Sequence, residues 1–159
     1  MIAVADTSPV CYLILIGEID LLPKLFGQVL VPEAVLAELL HEDAPSAVRS
    51  WACNLPPWML AKEIPPLATA GLERLQAAER AAILRAESTM ADIILLDEKA
   101  ARRVAAARGL RVTGILGVLG EAATRGLVEL ASAIDRLRMT SFRASPALLK
   151  TTLDRFGTR

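Results

Sequence analysis

Hydrophobic residues in this chain come in short runs that end at turn signals, with longer helical stretches between them. Residues 2–5 form an apolar run closed by Asp6, and the pattern predicts a buried strand. Ser8 followed by Pro9 then reads as a helix N-cap with proline at the first helical position. Short helices are expected at 9–16 and 20–25, broken at Gly17, and a strand at 28–31. Pro32 opens a helix to 40, and 44–52 is a further helix. The span 56–66 holds four prolines and reads as a connector with a short strand at 58–61. Residues 76–87 are alanine-rich and helical by propensity. A strand at 93–96, a helix at 98–108 capped by Gly109 and a strand at 111–113 follow. Helices at 114–125, 131–138 and 146–156 end the chain. Strands that alternate with helices predict an α/β fold, a parallel sheet covered on both faces. Neither repeats nor a composition boundary interrupt it, so one domain over 1–159 is expected.

Composition changes this picture little. At 159 residues the chain can bury a real core, and its charges balance at 18 Lys+Arg against 18 Asp+Glu. Their distribution is uneven. Up to Pro66 there are three basic and eight acidic residues, net −5; from Leu67 onward there are fifteen and ten, net +5. That asymmetry is compatible with a polyanion steered towards an acidic site, and equally with ordinary solvated helix faces. Cys11 and Cys53 match no ligand spacing and read as buried thiols of a reducing compartment. The apolar stretch 10–16 is too short to span a bilayer, and no basic region precedes the first apolar run, so a cytoplasmic protein with no membrane contact is expected. A hydrophobic fraction of 53% and a mean hydropathy of +0.42 hint at an apolar surface given to a partner subunit.

Histidine chemistry has almost no material, because His41 is the only histidine. Neither GxxxxGK[ST] nor GxGxxG occurs, which leaves carboxylates. Asp6 would stand at the carboxyl end of a strand, where open α/β sheets place their ligands. Asp97 repeats the arrangement after Ile-Ile-Leu-Leu. Mg²⁺ and Mn²⁺ take oxygen ligands of this kind. Asp92 starts the same strand that Asp97 ends, roughly 16 Å away at about 3.3 Å per residue, too far to share a metal. Glu38 and Glu79 each flank an apolar stripe, as ligands or as solvated edges.

These stretches carry a resemblance. Val-Ala-Asp-Thr-Ser-Pro-Val, at 4–10, resembles the first motif of PIN-domain nucleases. Val-Leu-Val-Pro-Glu-Ala-Val-Leu-Ala-Glu-Leu, at 29–39, is similar to their second motif, whose acid falls on Glu38. Ala-Ala-Glu-Arg-Ala-Ala-Ile-Leu-Arg-Ala-Glu, at 77–87, resembles the third-acid helix of a branch related to VapC-type toxins, with its acid at Glu79. Residues 91–105 resemble the strand and helix carrying the fourth acid, Asp97, and 112–119 and 142–149 are also similar to that branch. There are two departures from the pattern: Ala78 replaces the usual glycine, and Leu95 and Leu96 stand where many members carry a threonine or serine.

The resemblance implies a three-layer PIN-like fold and a metal-dependent endoribonuclease. Mg²⁺ or Mn²⁺ would be held by Asp6, Glu38, Glu79 and Asp97, and a water activated by the metal would attack an RNA phosphodiester in line. Glu98 is either a further ligand or a favourable charge in the first turn of a helix. Thr7 and Ser8 would be hydroxyls orienting Asp6 or a bound water, Ser8 being as well a plain cap. Lys99, Arg102 and Arg103 share one helix face by spacing and would hold RNA phosphates or face solvent. Bacterial members typically act as toxins held by a small antitoxin, and often as homodimers. The rivals are a PIN-like module that binds nucleic acid or protein without cleaving it, and an aspartate-nucleophile phosphatase. The latter needs a second aspartate where Ser8 stands.

Overall fold

Alternate residues of a strand face opposite sides of its sheet, and in this protein both sides are apolar. The computed structural model describes residues 1–62 and 71–157. Five strands, β1 (Ile2–Ala5), β2 (Gln28–Pro32), β3 (Met59–Lys62), β4 (Ile93–Leu95) and β5 (Val112–Thr113), form one all-parallel sheet in the order β3-β2-β1-β4-β5. Val4, Leu30 and Ile94 point into one core, while Ala3, Ala5, Val29, Val31 and Leu95 point into another. Such near-continuous apolar strands are what a sheet covered on both faces requires.

Helices supply those covers. α1 (Thr7–Leu15), α2 (Leu21–Phe26), α3 (Glu33–Leu40), α4 (Ser46–Ala52), α7 (Ile115–Thr124), α8 (Leu130–Arg138) and α9 (Pro146–Phe156) pack into the core of Ala3, Val29 and Leu95 through residues such as Leu13, Leu22, Leu39, Leu119 and Ile134. On the other side, α5 (Ala77–Ser88) and α6 (Lys99–Ala107) bring Ile83, Ala101 and Ala105. The expected α/β architecture, a parallel sheet between two helical layers, is the one found. No helix among the described residues is long and apolar enough to cross a membrane.

Several boundaries differ from expectation for local reasons. The first helix starts at Thr7, so Asp6, extended at φ −81° and ψ 174°, holds the N-cap position instead of Ser8. Pro9 then lies within the first turn, where a missing N–H costs nothing. β4 ends at Leu95, yet the Leu96 N–H still reaches the Thr113 carbonyl at 2.9 Å. The third strand is displaced by one residue, and the end of the proline-rich connector, 63–66, lies outside the described residues. The two thiols are not both buried: Cys53 is exposed and Cys11 half-buried. Gly109 does follow α6 as expected, at φ +83°, a conformation glycine adopts without strain.

Asp92 lies at the amino end of the sheet. Its carboxylate accepts the Ile2 N–H at 2.7 Å, and its own N–H donates to the Ile2 carbonyl at 2.9 Å. At the opposite flank, α9 packs so closely on α7 that a Cβ on Gly120 would come within 2.4 Å of the Phe156 ring. Gly120→Ala is therefore expected to displace that ring and destabilise the fold by roughly 1–3 kcal/mol. An unchanged urea midpoint would show that α9 is not held there.

Candidate active site

The strand order places a topological switch point between β1 and β4. From β1 the chain continues to β2 on one side, and from β4 to β5 on the other. The crevice outside the carboxyl ends at such a point is where open α/β sheets bind ligands. Asp6 leaves β1 into this crevice and Asp97 follows β4 into it. The Asp6 N–H donates to the Leu95 carbonyl at 3.0 Å, which ties the two strand ends together.

Asp97 is held from three directions. Its Oδ1 accepts the Ile115 N–H at 2.8 Å, an orphan donor at the start of α7. Arg102 donates from Nη1 to the Leu96 carbonyl at 2.9 Å and favours the Asp97 anion electrostatically. Gly114 makes this close approach possible, since a Cβ there would stand 2.6 Å from both Asp97 Oδ1 and Arg102 Nη1. Its φ of −123° is ordinary, so what matters is the missing side chain.

Glu79 enters from the first turn of α5, where its carboxylate accepts the Gln76 N–H at 3.1 Å in a capping box. It is buried all the same, at 8% exposure. Glu38 stands on α3, exposed, beside the buried Leu39.

Asp6 feels the other three acids electrostatically. Burial pushes the Asp6 carboxyl up to about 7; the Thr7 N–H opposes this, and the Glu79, Glu38 and Asp97 carboxylates add to it. Glu79 is raised by burial, against the Gln76 N–H and with Glu98 and Glu38 contributing. Asp97 is raised by burial, against the Ile115 N–H and Arg102.

The donor chemistry fits a hard cation. Asp6 Oδ1, Asp97 Oδ2 and Thr7 Oγ1 are buried with no hydrogen-bond partner among the described residues. An unpaired buried carboxylate oxygen is costly, and a cation or a proton removes the cost. Among the described residues no three His, Cys, Asp or Glu side chains gather closely enough to form a closed metal cage. Mg²⁺ does not need one, because it binds through one or two carboxylates and keeps several waters.

The remaining expected residues stand at the start of α6 and around the site. Glu98 is the N-cap of α6 and accepts the Ala100 N–H at 3.4 Å. Ser8, Lys99 and Arg102 line an adjoining groove, whereas Arg103 is exposed and outside it. Gly114, the Ile115 N–H and the support Arg102 gives Asp97 were not anticipated. The one available signal was a glycine directly between an expected strand and helix, in Val-Thr-Gly-Ile.

Buried carboxylates at the switch point of a parallel sheet define a class, α/β proteins with an acidic site suited to a divalent cation. Residues 2–158 match the PIN domain, and the chain belongs to that family. PIN domains are generally nucleases and typically use divalent metals. No curated protein and no solved structure matches the chain.

The pKa shifts set a sign for stability. Native Asp6 keeps a proton between 3.8 and about 7 that the unfolded chain has released, so without cation its contribution to stability falls as pH rises through that window. Asp6→Asn is expected to melt above wild type by a margin that grows from acid to neutral pH, and a margin independent of pH would overturn the assignment. Gly114→Ala, which drives a methyl into Asp97 and Arg102, is expected to cost roughly 1–3 kcal/mol in chemical denaturation.

Proposed function

We propose that this protein is a divalent-metal-dependent endoribonuclease with Asp6, Glu38, Glu79 and Asp97 as its working acids. The observation that carries the reading is the pair of orphaned, buried carboxylate oxygens, Asp6 Oδ1 and Asp97 Oδ2, at adjacent strand ends. Mg²⁺ or Mn²⁺, when bound, supplies an activated water and neutralises charge for in-line displacement at a phosphodiester. The chain's own part is orientation. Asp6 is fixed by the end of β1, Asp97 by the Ile115 N–H, and Glu79 by the Gln76 N–H. Thr7, with a buried hydroxyl next to Asp6, would orient that carboxylate or a water bound beside it.

The resemblance to the VapC-like branch supports a toxin restrained by a small antitoxin in the cytoplasm, working as a homodimer. The rival is a PIN-like module that binds without cleaving. It is favoured by the lack of three acids at shared ligating distance among the described residues.

Incubation of the purified protein with a panel of RNAs, in Mn²⁺ or in EDTA, separates the two. Cleavage in Mn²⁺ alone supports the nuclease, and metal-independent binding with no cleavage supports the rival. Within the site, Glu79→Gln is expected to lose most activity, whereas Asp92→Asn keeps it because its hydrogen bond lies at the far end of the sheet. The opposite ranking would sink the proposed set. Saturating metal should also raise wild-type stability, by about 2.7 kcal/mol at a hundred times Kd. Asp6→Asn and Asp97→Asn should gain much less.

A further inference from the structure

Beside Asp97 the site opens into a groove of about 1070 Å³. Its lining extends from Asp97 and Gly114, at the carboxyl ends of the strands, to Met1 and Ile93 at their amino ends. It therefore follows the edge strand β5, with α7 and α9 forming further wall.

Charge in this groove is one-sided. Lys99, Arg102, Arg111, Arg125, Arg143 and Arg155 line it, against Asp97, Glu98 and Glu121. Arg125 is paired with Glu121 at 3.0 Å, and Arg102 is engaged with the Leu96 carbonyl. Lys99, Arg111 and Arg143 are exposed and make no ion pair or side-chain hydrogen bond among the described residues. Unneutralised cations in a concave surface focus positive potential on an incoming polyanion.

Aromatic side chains share the lining. Tyr12, Phe142 and Phe156 are half-buried there, and the Arg155 guanidinium lies 4.9 Å from the Phe156 ring centroid. Cations that track a backbone together with π-faces for bases suit a single strand, whereas a duplex keeps its bases stacked inside. An acidic peptide would use the cations but has no bases for the rings.

We propose that a single-stranded nucleic acid lies in this groove, its phosphates on Lys99, Arg111 and Arg143 and its bases against the aromatic wall, and reaches the carboxylates past Asp97. The end point of this track rests on the nuclease reading. The track also leaves the outer face of α6, where Arg103 stands, and runs towards α9.

Fluorescence anisotropy of a labelled short oligouridylate in EDTA reads binding separately from cleavage. Arg111→Ala with Arg143→Ala is compared with an equal-charge control, Lys24→Ala with Lys150→Ala, at exposed positions outside the groove. The groove variant is expected to bind roughly tenfold more weakly, and its log–log salt slope to flatten by about 1.4, at ~0.7 for each lost phosphate contact on a single strand. The control should match wild type. Equal losses in both variants, or none in either, would overturn the groove. Polyglutamate of matched length binding wild type as tightly as the oligouridylate would replace the nucleic acid with a protein ligand. Cleavage in Mn²⁺ by a groove variant with unaltered affinity removes the groove and leaves the nuclease standing. Groove-dependent binding by a wild type that never cleaves does the reverse.

Discussion

The functional end of this molecule depends on one constraint, the burial of Asp6 at the end of the central strand. β1 has strands on both sides and helices on both faces, so a side chain leaving its carboxyl end has little access to water. A carboxylate there loses hydration, and the neighbouring Glu79, Glu38 and Asp97 worsen its position by repulsion. Only a proton or a cation relieves that. The group stands charged or neutral according to what else occupies the crevice.

Asp97 meets the same difficulty with more support. It has the Ile115 N–H at a helix start, a guanidinium from one turn into α6, and a glycine that leaves room for both. These contacts lower its pKa without cancelling the effect of burial. One oxygen is satisfied by the protein, and the other, Oδ2, is left without a partner. Glu79 is oriented by one hydrogen bond from the Gln76 N–H, as part of a helix cap.

Much of this was legible in the sequence, for identifiable reasons. Short apolar runs ending in an acid mark strands buried on both faces, and two such runs, ending at Asp6 and Asp97, located both strand-end carboxylates. Asp92 was correctly separated from them because strand rise is fixed, and its bond to Ile2 lies at the opposite end of the sheet. Pattern alone left Glu38 and Glu79 open and motif resemblance assigned them, since an acid beside an apolar stripe has the same pattern whether it faces solvent or a site. The first helix was started two residues late, because Ser-Pro is a strong cap signal and nothing local says that Asp6 is fixed by Leu95 across the sheet.

What the sequence determined by itself was therefore local and periodic: which segments are strands, which are helices, and that the sheet is parallel. Tertiary structure alone decided which strand ends meet. The order β3-β2-β1-β4-β5 brings residues 91 positions apart, Asp6 and Asp97, to one crevice and makes β5 the wall of a groove. It also gave Gly114 its purpose, since a glycine between a strand and a helix looks the same until another chain segment presses against it. Charge followed the same rule. Arg102 reads as one of three surface cations in a helical pattern, whereas in the fold it is half-buried against Gly114 of another segment and donates to the Leu96 carbonyl.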